Sequence, residues 1–141
     1  MRLRLLLDTG VLSEICHGRG PKPVRGWFEH ISLRHDVLLS DVADYEARRD
    51  LLRSQSLRGL ALLDAMPLRC ARVAMTGEAW RRAAELWARL VSAGRTPAKG
   101  LSGDTLLAAQ ALLEGATVVT YNLKDFEGIV VAERWTDIPI G

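Results

Sequence analysis

The chain alternates between short apolar runs and helical segments from end to end, and this alternation restricts its fold more than any other feature. Runs typical of buried strands cover residues 3–7, 36–40, 69–75 and 116–122, with a weaker run at 128–133. Strands that alternate with helices form a parallel sheet with helices on both faces. We therefore predict an α/β fold: a three-layer α/β/α sandwich with a central, mostly parallel sheet of four to five strands.

Capping residues and apolar spacing place helices between these strands. Ser40 or Asp41 can cap a helix that runs through about Arg53. A later helix is predicted over residues 103–115, after a polar loop at 95–102. The helical segments are long enough to cover the sheet on both faces.

Trp80 and Trp87 lie seven residues apart, on one face of a helix predicted after Thr76. We expect this face to be part of the core or a dimer contact. Stacking on nucleic-acid bases is the alternative interpretation.

Length and composition favour a single domain. With 141 residues, of which 48% are hydrophobic, the chain can bury one sizeable core, so we expect one domain over residues 1–141. Cys16 and Cys70 have no CxxC or Cys/His spacing, which favours buried free thiols in a reducing cytosol. Asp8 ends the N-terminal apolar run too early for a signal peptide, and no stretch approaches the roughly 20 apolar residues of a membrane span. We expect a soluble, cytoplasmic protein.

The stretch RLLLDTGVLSEI, residues 4–15, places Asp8 directly after the first strand. Aspartic proteases use the same Asp-Thr-Gly sequence, but they are nearly all-β, and the predicted helices exclude that class. In open parallel sheets, ligands bind beyond the C-terminal ends of the strands. Asp8 is predicted to lie there, as are Asn122 and Asp125 after the fourth strand.

Two further acids, Glu46 and Asp104, fall on predicted helices. Taken singly, Asp104 fits a helix cap or a partner for the helix dipole, and Glu46 fits a solvated helix residue. Carboxylates that converge on one pocket repel each other unless a cation lies between them. Mg²⁺ and Mn²⁺ take oxygen ligands and leave room for a substrate phosphate, whereas the lack of His and Cys in these segments argues against zinc. The acids together therefore predict a site for metal-assisted phosphodiester chemistry.

Three segments of the sequence resemble the PIN-domain ribonucleases, and among them the VapC-type toxins of bacterial type II toxin–antitoxin pairs. They are LLLDTGVLSE, LLSDVADYEARRDLL and SGDTLLAAQALLEGATVVTYNLKDF. The resemblance implies catalytic acids at Asp8, Glu46 and Asp104, which would bind Mg²⁺ or Mn²⁺ together with Asn122 and Asp125. The supporting residues that it implies are Thr9, Ser40 and Thr120.

The activity implied by the resemblance is metal-dependent endoribonucleolytic cleavage of RNA phosphodiester bonds, by the toxin of a toxin–antitoxin pair. The implied partners are an RNA substrate, a cognate antitoxin protein and a second copy of the chain in a homodimer. Three residues depart from the family's pattern: Gly10 stands where Asn or Ser is usual, Asp50 replaces a common glycine, and Asn122 takes a position that is often Asp. Gly10 and Asn122 keep open the alternative of a PIN-fold RNA-binding or interaction module with weak or no nuclease activity, whereas Asp50 concerns packing or antitoxin contacts.

Two other α/β families also place an aspartate at a strand end. Haloacid-dehalogenase phosphatases need a second aspartate two residues after the first, and Gly10 excludes them. Response-regulator receivers carry a threonine after the fourth strand, as this chain does with Thr120, but they also need an acidic pair and a late lysine that this chain lacks.

Overall fold

The computed structural model describes residues 1–17, 20–95 and 101–140, and shows an α/β protein built on one parallel sheet. In this part of the chain the sheet has five strands, in the order β3-β2-β1-β4-β5, and all neighbouring strands are parallel. The strands are β1 (Arg4–Leu7), β2 (Asp36–Ser40), β3 (Ala71–Val73), β4 (Thr117–Val119) and β5 (Ala132–Glu133). The predicted fold class is confirmed.

Six α-helices connect and cover the strands in the described ranges. They are α1 (Thr9–Ile15), α2 (Pro23–Arg34), α3 (Asp41–Arg53), α4 (Leu57–Ala65), α5 (Gly77–Ser92) and α6 (Leu101–Glu114). The chain moves from β1 to β2 and β3 on one side, then crosses back to β4 on the other side of β1. Because parallel crossovers are right-handed, this reversal puts the first four helices and the last two on opposite faces of the sheet. No helix in the described residues is both long and apolar enough to span a membrane.

The central strand β1 is fully buried from its second residue onward. Leu5, Leu6 and Leu7 have no exposed surface, and the adjacent β4 contributes the equally buried Val118 and Val119. A parallel strand covered on both faces needs apolar residues at consecutive positions, which is why β1 reads as an unbroken run rather than an alternating one. The pairing of Leu7 with Val119 brings the C-terminal ends of β1 and β4 to the same edge of the sheet.

Two sequence expectations need correction. The helix predicted from residue 103 begins at Leu101, so residues 101–102 are helical rather than loop, and residues 96–100 lie outside the described ranges. Gly103 has a low helix propensity and reads as a boundary in the sequence, yet it lies inside the first turn. Trp80 and Trp87 are 54% and 40% exposed, so they are not core residues, and the dimer contact stays a prediction.

Both cysteines are buried free thiols, as the sequence indicated. Burial raises the pKa of each thiol to about 12. Cys16 follows α1 and Cys70 precedes β3, and both belong to the apolar core.

Ser40 joins three elements at the C-terminal end of β2. Its hydroxyl accepts hydrogen bonds from the backbone N–H groups of Val42 (3.0 Å) and Ala43 (3.4 Å), which caps α3. The same hydroxyl donates to Gln110 Oε1 at 2.5 Å, and Gln110 Nε2 donates to the carbonyl of Val73 at 3.0 Å. Because Ser40 and Gln110 are both buried, this network fixes α3 and α6 relative to β2 and β3.

We expect Ser40→Ala to lower the free energy of unfolding by about 2 kcal/mol, since it removes a helix cap and leaves a buried amide oxygen unpaired. Urea unfolding followed by circular dichroism measures the loss. Ser32→Ala is the matched control, because the half-buried Ser32 donates its hydroxyl to the carbonyl of Glu29 in its own helix, in a solvent-exposed hydrogen bond. Equal stabilities for the two variants would contradict the role of the network.

Candidate functional site

Asp8 lies at the junction of β1 and β4 and serves as the N-cap of α1. Its backbone N–H donates to the carbonyl of Val119 at 2.9 Å, which extends the strand pairing by one residue. Its Oδ1 accepts from the Thr9 N–H at 2.8 Å, and its Oδ2 accepts from the Thr120 hydroxyl at 2.6 Å. The Asp8 carboxylate is therefore held at the C-terminal ends of the two adjacent strands β1 and β4.

Burial raises the pKa of Asp8 above its ordinary value. The hydrogen bonds from Thr120 and Thr9 oppose this rise, while the negative charges of Glu46 and Asp125 add to it. The threonines thus stabilise the ionised carboxylate that a metal site requires.

Glu46 reaches the same region from the middle of α3. Its Oε1 accepts a hydrogen bond from the Thr9 hydroxyl at 2.7 Å, so Thr9 contacts two acids, one through its backbone and one through its side chain. A Cβ atom added to Gly103 would lie 3.4 Å from Glu46 Oε2. The absence of a side chain at Gly103 lets the first turn of α6 approach the glutamate closely.

Asp104 sits in that first turn of α6, with its pKa raised to about 7. Burial is the largest cause, followed by the negative charges of Asp125, Asp8 and Glu46. Since α6 begins at Leu101, Asp104 lies within the helix, and the alternative role as a helix cap is excluded. Four carboxylates from four different elements therefore influence one another at this edge of the sheet.

The segment after β4 brings in the last two predicted residues. The backbone N–H of Asn122 donates to the Thr120 hydroxyl at 3.0 Å, and the N–H of Asp125 donates to the Asn122 carbonyl at 3.1 Å. Phe126, which is fully buried, anchors this short 3₁₀ turn. The turn directs the charge of Asp125 toward Asp8 and Asp104, whereas Asn122 is exposed, and its role as a ligand stays a prediction.

The side chains fit a hard divalent cation by chemical type. They offer carboxylate oxygens, and no His or Cys is among them, a set that suits Mg²⁺ or Mn²⁺ and not zinc. Among the described residues, no three acidic, His or Cys side chains form a group that could hold an ion in the arrangement seen. Such spacing is expected of carboxylates whose like charges repel each other.

Tyr121 and Glu14 form a contact that the sequence did not predict. The Tyr121 hydroxyl donates to Glu14 Oε2 at 2.5 Å, and burial together with Glu14 raises the tyrosine pKa to about 12. A Cβ atom added to Gly10 would lie 3.7 Å from the Tyr121 ring, so Gly10 is adjacent to this aromatic side chain. The four-residue spacing of Gly10 and Glu14 on α1 is the signal that could have indicated a shared face.

We expect Thr120→Val to weaken Mn²⁺ binding about 10-fold, because it removes the hydroxyl that orients Asp8 and favours its charged form. Isothermal titration calorimetry measures the change. Thr117→Val, three residues earlier and at the start of β4, is the matched control. An unchanged affinity in Thr120→Val would mean that the hydroxyl supports the fold rather than the site.

The sequence matches the PIN domain family over residues 5–129. No curated protein matches it significantly. VapBC2 from Rickettsia felis, bound to a DNA fragment from its promoter, superposes with a TM-score of 0.79 at 21% identity, covering 94% of this chain and 99% of that one. DNA-bound VapBC from Salmonella typhimurium has a TM-score of 0.69 at 25% identity, covering 94% of this chain and 98% of that one.

A third solved structure is VapBC-5 from Mycobacterium tuberculosis, a member of the VapBC family of toxin–antitoxin systems. It superposes with a TM-score of 0.62 at 20% identity, and covers 93% of this chain and 96% of that one. The family match spans all four acids of the site and Asn122, and the resemblance noted in the sequence is confirmed. The chain belongs to the PIN domain family.

Proposed function

We propose that residues 1–141 act as a single domain that cleaves RNA phosphodiester bonds with Mg²⁺ or Mn²⁺, as the toxin of a toxin–antitoxin pair in the cytoplasm. The observation that supports this most directly is the electrostatic repulsion among the four carboxylates. The charges of Asp125, Asp8 and Glu46 all raise the pKa of Asp104. A fold gains nothing in stability from such repulsion, whereas a bound cation would relieve it.

Asp8, Glu46 and Asp104 are the proposed essential ligands, with Asp125 and Asn122 completing the set. These residues would hold a divalent ion, which would supply activation of a water and charge stabilisation for the leaving oxygen of the phosphodiester. The chain itself positions the carboxylate ligands and stabilises their ionised form. Thr9 holds Asp8 and Glu46 in place, with its N–H 2.8 Å from one carboxylate and its hydroxyl 2.7 Å from the other.

The partners follow from the same proposal. The VapBC structures that share this fold support an antitoxin protein as the regulator of this chain. RNA is the proposed substrate, and a second copy of the chain completes a homodimer. The family's alternative role, an RNA-binding or interaction module without nuclease activity, predicts the same fold but no metal-dependent cleavage.

Cleavage of a structured RNA by the purified protein tests the proposal. We expect cleavage in Mn²⁺, none in excess EDTA, and recovery when Mn²⁺ is restored in excess of the chelator. Binding of the RNA without cleavage in Mn²⁺ would favour the module instead. Cleavage that persists in EDTA would rule out the metal-dependent mechanism.

A further inference from the structure

A glycine on α1 is not explained by the fold. Gly10 lies in the first turn of the helix and does not have a positive φ, so its backbone conformation is open to other residues. A Cβ atom added there would lie 3.7 Å from Tyr121 Cδ2, the nearest atom outside α1 among the described residues, which is ordinary van der Waals contact. Glycine forms helices less readily than most of the residues that this position could accommodate. Its presence therefore needs a reason other than helix stability.

Tyr121 is the side chain that Gly10 leaves uncovered. It is 37% exposed, and its hydroxyl donates to Glu14 Oε2 at 2.5 Å. The Trp135 indole interacts with the same hydroxyl, so the polar end of the tyrosine is already engaged. What Tyr121 offers to a ligand is therefore its aromatic ring.

The tyrosine is connected to the core through two tryptophans. Trp135 packs against Trp27 with ring centroids 5.9 Å apart and planes inclined at 48°. Trp27 is 6% exposed and belongs to the apolar core. An aromatic side chain that is already fixed by its neighbours loses little conformational entropy when a planar ligand stacks on it.

The ring also lies beside the acid site. Thr120, the residue before Tyr121, donates its hydroxyl to Asp8 Oδ2 at 2.6 Å. Thr9, the residue before Gly10, donates its backbone N–H to Asp8 Oδ1 at 2.8 Å. Gly10 and Tyr121 are thus each one residue away from a group that binds the Asp8 carboxylate. Since one ribose separates a nucleobase from its phosphate, a phosphate held at the acids brings a neighbouring base within reach of this ring.

The surroundings of the ring favour a nucleobase over a charged group. The carboxylates of Glu14 and Asp8 are close to Tyr121 and disfavour a phosphate against the ring itself. A base carries no charge and presents a flat π-face, so it can stack on an aromatic ring beside these acids. Such stacking does not depend on which base is present, because every base has this face.

We infer that Tyr121 is a stacking platform for the nucleobase next to the scissile phosphate, and that Gly10 keeps this platform open. The inference deepens the proposed function and rests on it for RNA as the substrate. It can be tested without metal or cleavage, because stacking contributes to RNA binding whether or not the backbone is cut.

Fluorescence anisotropy of a short, labelled single-stranded RNA in EDTA tests the platform. We expect Tyr121→Ala to bind the RNA about 10-fold more weakly than wild type, because it removes the stacked ring. Tyr121→Phe keeps the ring and loses only the hydrogen bond to Glu14, so it should bind as wild type does. Leu112→Ala is the matched control, since Leu112 is also 37% exposed but lies about two helical turns beyond Asp104 on α6. It should leave RNA binding unchanged.

Gly10→Leu tests the role of the glycine. Leucine favours the helix, so the melting temperature should stay the same or rise. Its side chain would cover part of the Tyr121 ring, so RNA binding should fall by about 10-fold. With an RNA whose bases are replaced by abasic sites, wild type, Tyr121→Ala and Gly10→Leu should all bind equally, because no base remains to stack.

Circular dichroism shows whether each variant is folded. If Tyr121→Ala does not fold, the comparison of Gly10→Leu with wild type on the normal and abasic RNAs decides the question. The inference is overturned if wild type does not bind the RNA, if the folded variants bind it as wild type does, if Tyr121→Phe loses as much affinity as Tyr121→Ala, or if the losses persist on abasic RNA.

A cleavage assay in Mn²⁺ separates the platform from the proposed function. Wild type that binds RNA through Tyr121 but does not cleave it would support the platform and contradict the nuclease. Wild type that cleaves RNA, together with a Tyr121→Ala variant that binds RNA normally, would contradict the platform and leave the nuclease standing.

Discussion

Asp104→Asn is expected to abolish RNA cleavage, by at least about 100-fold, while making the metal-free protein more stable at pH 8. The loss of activity follows from the removal of a charged ligand. Mutating even a residue that only orients a metal ligand typically lowers metal affinity or activity about 10- to 100-fold. The gain in stability follows because burial, and after it the negative charges of Asp125, Asp8 and Glu46, raise the pKa of Asp104 to about 7 and so impose a penalty on its ionised form at pH 8. Removing one of four mutually repelling carboxylates relieves it.

The pH dependence has a defined sign. The folded-state pKa of Asp104, about 7, lies above its unfolded value near 3.8, so the folded chain holds this proton more tightly. The stabilising contribution of the protonated carboxyl is fully present below the unfolded pKa and is lost as the pH rises through about 7. Allowing for partial exposure to solvent, metal-free wild type should lose about 1–2 kcal/mol of stability from this group between pH 5 and pH 8.

Thermal melts in EDTA at pH 5 and pH 8, alongside a cleavage assay, measure both effects. Asp104→Asn should show a smaller decrease in stability over this pH interval than wild type. Asp137→Asn is the matched control, because Asp137 is exposed in the short 3₁₀ turn Trp135–Asp137, outside the acid site. This variant should behave as wild type. A clear loss of stability in Asp104→Asn at pH 8 would assign that carboxylate to the fold.

Mn²⁺ is expected to raise the melting temperature of wild type by roughly 10 °C at 100 times its dissociation constant. An ion bound only by the folded chain adds about 2.7 kcal/mol at that concentration. Asp8→Asn should show little or no rise, since the Asp8 carboxylate interacts electrostatically with those of Glu46, Asp104 and Asp125.

Differential scanning calorimetry with and without Mn²⁺ measures this shift in both proteins. Asp137→Asn again serves as the control and should keep the full rise. Equal rises in wild type and Asp8→Asn would mean that the ion binds elsewhere, and the metal site would have to be abandoned.

The centre of the sheet was predictable because β1, β2 and β4 are mostly buried. The run that became β1 is apolar at consecutive positions, and only a central parallel strand or a buried helix tolerates such a run. The capping role of Ser40 could also be predicted, since a serine before a helical pattern is a local capping signal. Both the apolar run and the helix cap depend on residues that are adjacent in sequence, so local patterns predict them.

The contacts that complete the site could not be predicted from local sequence patterns. Gln110 binds Ser40 across 70 residues of sequence, and the Tyr121 hydroxyl reaches Glu14 across 107. Gly103 matters because α6 packs close to Glu46, which no local pattern expresses. The exposure of Trp80 and Trp87 likewise depends on how α5 is oriented on α6, and spacing alone cannot separate a buried face from an exposed one.

The hydrogen bond between Asp8 and Thr120 spans 112 residues, and it has a consequence for synthesis of the chain. The nascent N-terminal part carries Asp8 and Glu46, but Asp104, Thr120 and Asp125 follow only in the last third. Without β4, one side of β1 has no neighbour and the acids have no shared edge. Domains fold as units once enough chain has emerged. The acid site is therefore not assembled during synthesis until the segment that carries Asp104, Thr120 and Asp125 has been made.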